Sequence, residues 1–321
     1  MNITLTSNRQ QTMTRRIPSF LDVTAWEARR FLASRSNRRL IFLALALFLL
    51  FMWLFKYGDT VGFSRGPGFN FIFQVSGTTA WGLAGWFALF TSLLALLLPF
   101  MNAGGAAHDV KDRTHELLMS TPVPTWAYVT GRFLFCLLAS LGLALLLLAS
   151  VLLMGLVSHL TQKDYPPPQV NFALTLWLIV ILPSTMLLSS LSFALGTLLS
   201  RYANLAPLGI IVLWFLFSVV NAPVFGLPSW YGTWEPTNFG MATILQQPYS
   251  QGLQTIQSRL WEANQLTPDL LRQFTTSFQS LQQTTPDLLP WLAPHLIQLG
   301  VGLVFVLIVV LTFKRSRSVL N

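Results

Sequence analysis

The sequence predicts an all-α polytopic membrane protein with six transmembrane helices. Its 321 residues are 53% hydrophobic and only 10% charged, whereas an average globular domain has about 25% charged residues. The chain also contains long apolar runs, and about 20 apolar residues suffice to cross the ~30 Å hydrocarbon core of a bilayer. The six predicted spans are residues 40–55, 80–100, 133–157, 172–199, 205–224 and 292–313.

A cytoplasmic tail and a surface helix, together residues 1–39, precede the first span. The stretch LDVTAWEARRFLASRSNRR is basic and has helical periodicity, with Asp22 or Thr24 as the candidate N-cap. One face of this helix carries Val23, Trp26, Arg30 and Ala33. This pattern is typical of an amphipathic helix lying on the inner membrane surface. The alternative is an ordinary charged lead-in to the first span.

Lysine and arginine are distributed unequally when the N-terminus is placed in the cytoplasm. Fifteen then lie in cytoplasmic segments and five in external ones, which gives net charges of +10 inside and −1 outside. This bias follows the positive-inside rule. We therefore predict a multi-pass protein of the inner (plasma) membrane with both termini cytoplasmic. The pI near 10.3 then reflects topology, and we expect no nucleic-acid partner.

The predicted spans offer no energy source for transport. As bounded above, they contain no Asp, Glu, Lys or Arg, the residues that ion-coupled transporters keep within the membrane. The chain also lacks the G-x-x-x-x-G-K-[ST] motif that binds ATP in P-loop proteins. We therefore expect no enzyme activity of its own, and uphill transport must draw its energy from another polypeptide.

The candidate contact with such a polypeptide lies in residues 102–131, between the second and third spans of the region 40–224. Five of the 13 residues 108–120 are charged. The pairs Asp109–Arg113 and Arg113–Glu116 have the i,i+4 and i,i+3 spacings that favour a short polar helix. The prolines of the following TPVP end it, and Thr125 is a candidate N-cap for the next helix. A solvated loop is the alternative interpretation.

This segment resembles the signature of the ABC-2 type permeases, the membrane subunits of ATP-binding-cassette exporters. In that family a charged run precedes T-L-E-x-L-L, then T-P-V, and after a short interval G-K. The matching residues here are Lys111-Asp112-Arg113, Thr114-His115-Glu116-Leu117-Leu118, Thr121-Pro122-Val123 and Gly131-Arg132. His115 stands where leucine is usual, Pro124-Thr125 where Ser-Arg is common, and Arg132 where lysine is usual.

The resemblance implies a half-transporter without a bound cofactor. Two permease subunits, identical or paralogous, would pair in the bilayer. Each would rest its cytoplasmic helix in a cleft of a separate ABC ATPase, which binds ATP and Mg²⁺. The residues implied in this contact are Asp109, Lys111, Asp112, Arg113, Thr114, His115, Glu116, Leu117, Leu118, Thr121 and Pro122.

The fourth predicted span carries a stripe of small and polar residues. The stripe consists of Thr185, Ser189, Ser192, Gly196 and Ser200. Spacing of this kind lets membrane helices approach closely, so helix packing is one interpretation and a translocation path is the other. Pro183 is expected to kink the same span. In the sixth span, His295 and Gln298 are expected either to meet a substrate or to bond to the external segment.

The external segment, residues 225–291, is predicted to form a helical hairpin, with disorder as the alternative because of its ten glutamines. Thr267, Pro268 and Asp269 are typical of a helix start. An apolar face follows, comprising Leu270, Phe274, Phe278 and Leu281. The earlier helix, about 241–264, offers Leu253, Ile256 and Leu260. The chain ends with the sixth span and a basic tail, residues 292–321.

Two other function classes stay open at this stage, an ion-coupled transporter or channel and a membrane-embedded enzyme. The absence of charged residues from the predicted spans disfavours the first class. The second is disfavoured because no nucleophile, carboxylate and histidine cluster is apparent. No metal site is expected, since His108, Asp109 and Asp112 lack a usual ligand spacing.

Overall fold

The computed structural model describes residues 19–54, 56–64, 70–102, 123–163, 165–199, 205–216, 229–236, 240–262 and 267–313. Helices dominate this part of the chain, with one antiparallel β-hairpin. The helices are α1 (Phe20–Ala33), α2 (Arg35–Leu54), α3 (Ala80–Asn102), α4 (Thr125–Thr161), α5 (Val170–Leu198), α6 (Ala206–Trp214), α7 (Ser229–Trp234), α8 (Met241–Glu262), α9 (Pro268–Gln283) and α10 (Leu289–Thr312). The strands are β1 (Tyr57–Ser64) and β2 (Asn70–Ser76).

Four of the described helices are long and apolar enough to cross a membrane. They are α3 over Ala80–Pro99, α4, α5 and α10. In α2 the described apolar stretch is Ile41–Leu50, and Arg35, Arg38 and Arg39 precede it in the same helix. Of the predicted fifth span, 205–224, only residues 205–216 are described. The protein is thus a helical membrane protein with four candidate spans in the described residues.

Helix α4 is longer than the predicted third span. Its 37 residues correspond to about 55 Å at 1.5 Å per residue, so the helix extends beyond the ~30 Å core of a bilayer. The prediction that Thr125 caps this helix is wrong. Pro124 occupies the N-cap position in an extended conformation, and Thr125 is the first helical residue. The second turn therefore includes Arg132, which the sequence analysis placed before the span.

Helix α5 contains a π-helical segment, Trp177–Ile181, which ends two positions before Pro183. The Leu182 N–H donates to the Trp177 carbonyl, five residues back. Proline has no N–H to donate, and a π turn is one way in which a helix adjusts next to such a break. The irregularity expected at Pro183 thus takes the form of a widened turn. Within this turn, the Trp177 indole N–H donates to the Ala144 carbonyl of α4 at 3.2 Å.

Helix α1 begins earlier than the sequence analysis expected. Its N-cap is Ser19, whose hydroxyl accepts from the Asp22 N–H, while the Asp22 carboxylate accepts from the Ser19 N–H at 2.7 Å. Neither Asp22 nor Thr24 is the cap. The reason is a reciprocal capping box, in which a Ser and an Asp three residues apart satisfy each other's backbone groups. Because Thr24 and Glu27 are the buried residues of α1, its buried side also differs from the predicted apolar face.

The β-hairpin was not predicted. Strands β1 and β2 pair in antiparallel register, with Val61 opposite Phe73. The ring of Phe73 lies 4.7 Å from that of Phe274 and 5.1 Å from that of Phe278. The hairpin therefore packs on the apolar face of α9, which stabilises both elements.

The predicted helical pair between the last two spans is present as α8 and α9. Thr267 caps α9 by accepting from the Leu270 N–H at 3.3 Å, and Pro268 is its first residue. The ring of Tyr249 on α8 stacks on Trp81 of α3 at 5.1 Å. The pair is therefore folded onto the bundle, in contrast to the disordered alternative.

The two ends of the bundle are built differently. At the hairpin end, Tyr165 from the α4–α5 connection donates to the Lys56 carbonyl at 3.0 Å, and Gln169 donates to the Gln283 carbonyl at 3.0 Å. At the opposite end, which we call the junction end, α1 packs on the start of α4, and the last residues of α10 pack on the same part of α4. Between them, the main core joins α3, α4 and α5 through Phe87, Phe90, Leu98, Leu147 and Ile181.

Candidate functional site

The residues that the family resemblance assigns to the ATPase contact lie outside the described residues. These are Asp109, Lys111, Asp112, Arg113, Thr114, His115, Glu116, Leu117, Leu118, Thr121 and Pro122. Their assignment stays a prediction. The structure does describe the residues on both sides of the range 103–122, for which we keep the name coupling segment, and it shows the contacts of these flanking residues.

Before the coupling segment, α3 ends in a buried polar contact. The Asn102 amide donates to the Ser140 hydroxyl of α4 at 3.0 Å, and this hydroxyl donates to the Cys136 carbonyl at 2.9 Å. Both Asn102 and Ser140 are almost completely buried. A buried amide is expensive to leave unpaired, so this contact holds the end of α3 against α4.

After the coupling segment, α4 begins in close contact with α1. The Thr24 hydroxyl donates to the Gly131 carbonyl at 3.0 Å. A Cβ added at Gly131 would lie 2.6 Å from the Phe20 carbonyl oxygen and 2.7 Å from the Cβ of Val23. Only glycine therefore allows the two helix backbones to approach this closely.

A buried ion pair joins the same two helices. The Arg132 guanidinium contacts one Glu27 carboxylate oxygen through two nitrogens, with Nε at 2.8 Å and Nη2 at 2.7 Å. Side-chain exposure is 8% for Arg132 and 10% for Glu27. Hydrogen bonds between ionised groups are the strong ones, and this pair is largely shielded from water. The sequence analysis missed it, although Glu27 is an acidic residue within a run of arginines.

The ion pair continues into an aromatic contact with the last helix. The Arg132 guanidinium lies over the Tyr128 ring at 5.3 Å, and Tyr128 stacks with Phe313 at 6.4 Å. Phe313 is the C-cap of α10. We call the group Thr24, Glu27, Tyr128, Gly131, Arg132 and Phe313 the junction. It connects α1, α4 and α10 next to the coupling segment.

The predicted small-residue stripe of α5 is buried wherever it is described. Thr185, Ser189, Ser192 and Gly196 are all buried, and Ser200 lies outside the described residues. Beside the stripe, a Cβ on Gly302 of α10 would lie 3.3 Å from the Ser190 hydroxyl oxygen, so the two helices are closely packed. The Ser189 and Thr197 hydroxyls have no hydrogen-bond partner within the described chain. Whether the stripe also faces a translocation path stays a prediction.

The two polar residues of α10 bond within the protein. The Gln298 amide donates to the Trp234 carbonyl at 2.9 Å, a residue of the segment between the last two spans. His295 Nδ1 lies 2.8 Å from the Trp291 carbonyl of its own helix. The structure thus agrees with the interpretation that Gln298 binds the neighbouring segment.

At the hairpin end, an open pocket of about 230 Å³ lies beside the contact between α3 and α8. Its lining is neutral and mostly apolar, and includes Val75, Trp81, Trp86, Leu89 and Gln246. Nearby, burial raises the pKa of the Tyr165 hydroxyl above its usual value. Tyr165 therefore stays neutral and acts as a hydrogen-bonding group between loops.

Four of the described helices are long and apolar enough to cross a membrane, which places the chain in the class of multi-pass membrane proteins. The model of the family described as ABC-2 family transporter protein matches residues 60–312. This chain therefore belongs to the ABC-2 family, as a membrane permease subunit of an ABC transporter, and this membership implies an ABC ATPase partner. Comparisons with curated proteins and with solved structures gave no significant match.

Proposed function

We propose that this chain is the permease of an ABC exporter whose ATP and Mg²⁺ are bound by a separate ATPase subunit. The single observation that carries the proposal is the family match over 60–312. Two permease copies, or one copy and a paralogue, form the membrane unit. Residues 109–122 dock on the ATPase, so that closure of the ATPase moves the membrane helices and exports the substrate.

Six spans and cytoplasmic termini are part of this proposal, and the contacts at the two ends support them. Helix α2 leaves α1 at the junction end and leads to Lys56 at the hairpin end. Helices α3, α4 and α5 then cross in alternation. The proposal includes a further crossing between α5 and α8, and the bond of Gln169 to Gln283 at the hairpin end supports it. Helix α10 makes the sixth crossing, since it ends beside Tyr128.

The charge distribution supports the orientation. Arginines Arg29, Arg30, Arg35, Arg38 and Arg39 all lie on α1 and the start of α2. A cytoplasmic junction end follows from the positive-inside rule. In that orientation α1 lies at the inner membrane surface, with Leu21, Trp26 and Leu32 each at least half exposed in the isolated chain and available to lipid.

Co-purification from the native membrane tests the proposal. We expect the tagged chain to bring down a separate ATPase and, once stripped of it, to hydrolyse no ATP. Glu116→Lys should reduce recovery of the ATPase without affecting membrane insertion. An unpaired or repelled charge at a docked interface costs about 2–5 kcal/mol, whereas an exposed helical pair contributes only about 0.3–0.5 kcal/mol.

Glu262→Lys is the matched control, because Glu262 is an exposed residue of α8 at the opposite end of the bundle. ATP hydrolysis by the isolated chain would overturn the proposal. Unchanged recovery of the ATPase with both Glu116→Lys and Arg113→Glu would overturn the docking role of residues 109–122.

A further inference from the structure

The N-terminal helix α1 is held to α4 by more contacts than a membrane-surface helix needs. A helix that only lies on lipid presents its polar residues to water and its apolar residues to the bilayer. In α1 the buried residues are instead Thr24 and Glu27. Both bond to α4, at Gly131 and Arg132 respectively.

The placement of these contacts along α4 is specific. Gly131 and Arg132 lie in the second turn of α4, nine and ten positions after Pro122 in the sequence. Under the proposed function, a displacement of the coupling segment by the bound ATPase reaches these two residues through the first two turns of α4. Because a Cβ at Gly131 would lie 2.6 Å from the Phe20 carbonyl oxygen, the two backbones have no free space between them at this point.

We propose that Glu27 and Arg132 are positioning residues that make α1 and the start of α4 a single rigid lever for the ATPase. The lever extends to α10 through Tyr128, which lies one turn before Arg132 on α4 and contacts Phe313. Movement of the coupling segment thus reaches α1 and the end of the last span together. This inference rests on the proposed function, because it assumes that an ATPase pushes on the coupling segment.

The ion pair suits this task better than apolar packing alone. Two nitrogens of Arg132, Nε and Nη2, contact the same carboxylate oxygen of Glu27, so the guanidinium edge is directed at this oxygen. A buried charge that loses its partner is strongly unfavourable. The pair therefore opposes both separation and sliding of the two helices.

Charge reversal tests the lever in the assembled complex with its ATPase. The variants are Glu27→Arg, Arg132→Glu and the double exchange, with Glu262→Arg and Arg272→Glu as exposed controls at the hairpin end. The readout is the ATP turnover that depends on the permease, measured per assembled complex against the free ATPase. We expect each single reversal to lower this turnover by about tenfold, because the remaining buried charge drives the two helices apart.

We expect the double exchange to restore turnover, since it re-forms the pair, and Arg132→Lys to retain it, since it keeps the charge. Where a reversal prevents folding, Glu27→Gln replaces it, because this isosteric change removes the charge with little change in shape. A purely structural role would lower the Tm and the yield while leaving turnover per assembled complex unchanged. That result would overturn the inference, as would a double exchange that restores the Tm but not the turnover.

Failure of the proposed function gives a different result. If the wild-type chain brings down no ATPase, the coupling role fails together with the proposed function. The Tm of the single and double variants then still reports on the pair itself. Recovery of the Tm in the double exchange would support the rigid connection of α1 to α4, and its absence would contradict it.

Discussion

At the scale of single residues, two glycines of α4 differ in what surrounds them. A Cβ at Gly131 would lie 2.6 Å from the Phe20 carbonyl oxygen, whereas a Cβ at Gly142 would meet nothing within 4 Å. A carbonyl of the neighbouring helix cannot rotate away as a side chain can. The same substitution at the two positions therefore separates the contact with α1 from the general effect of glycine in a helix.

Gly131→Ala is expected to lower the Tm of the purified protein. Forcing a methyl group into a filled contact costs about 1–3 kcal/mol. Gly142→Ala is expected to raise the Tm, because glycine in a helix interior is about 0.5–1 kcal/mol less favourable than alanine. Thermal unfolding of both variants in detergent, monitored by size-exclusion chromatography, measures the two changes in Tm. Equal shifts at the two positions would contradict the close approach of α1 and α4.

At the scale of secondary-structure elements, the elements that carry local sequence signals were predictable from the sequence. Helix α9 carries its own N-cap at Thr267, a proline at its first position and an apolar face with helical spacing. These features act over a few residues and do not depend on the rest of the fold. The apolar runs of α3, α4, α5 and α10 were visible for the same reason.

The elements that depend on distant partners were missed. The strands of the β-hairpin contain alternating apolar residues, such as Val61, Phe73 and Val75. The hairpin is stabilised, however, by α9, about 200 residues further along the chain. For example, the Ser76 N–H donates to the side-chain oxygen of Gln282, 206 positions away. Likewise, Glu27 and Arg132 are 105 positions apart. Sequence periodicity shows which face of a helix is apolar, but it does not show which other helix packs on that face. The stripe of α5 was visible, but its partner α10 was not.

Phe278→Ala is expected to loosen α9 from the hairpin. Phe278 is almost completely buried and contacts both Phe73 and Trp81. Truncating a buried phenylalanine costs about 3–5 kcal/mol. Hydrogen exchange of the amides in 268–283 should therefore become faster, whereas Trp261→Ala, which changes a half-exposed aromatic on α8, should have a smaller effect. Unchanged exchange in Phe278→Ala would contradict the packing of α9 on β2.

At the scale of the whole molecule, the two ends of the bundle differ in the kind of polar contact that they contain. The hairpin end joins four loop or helix segments through neutral hydrogen bonds, for example that between Tyr57 and Gln162 at 2.6 Å. The junction end contains a buried ion pair and the arginines of α1 and α2. The proposed function needs a rigid end on the side of the ATPase, and the positive-inside rule favours this arginine-rich end as the cytoplasmic one.

Cysteine labelling in membrane vesicles tests this orientation. Cys136 is first replaced by alanine, since it is the single cysteine of the chain. Arg29→Cys then places a thiol on an exposed position of α1, and Ser277→Cys places one on an exposed position of α9. An impermeant maleimide should label position 277 in right-side-out vesicles and position 29 in inside-out vesicles. Permeabilised vesicles, in which both positions should react, control for thiols hidden by the protein. Labelling of position 29 from the outer side would invert the topology, and the coupling segment next to the junction would then be out of reach of a cytoplasmic ATPase.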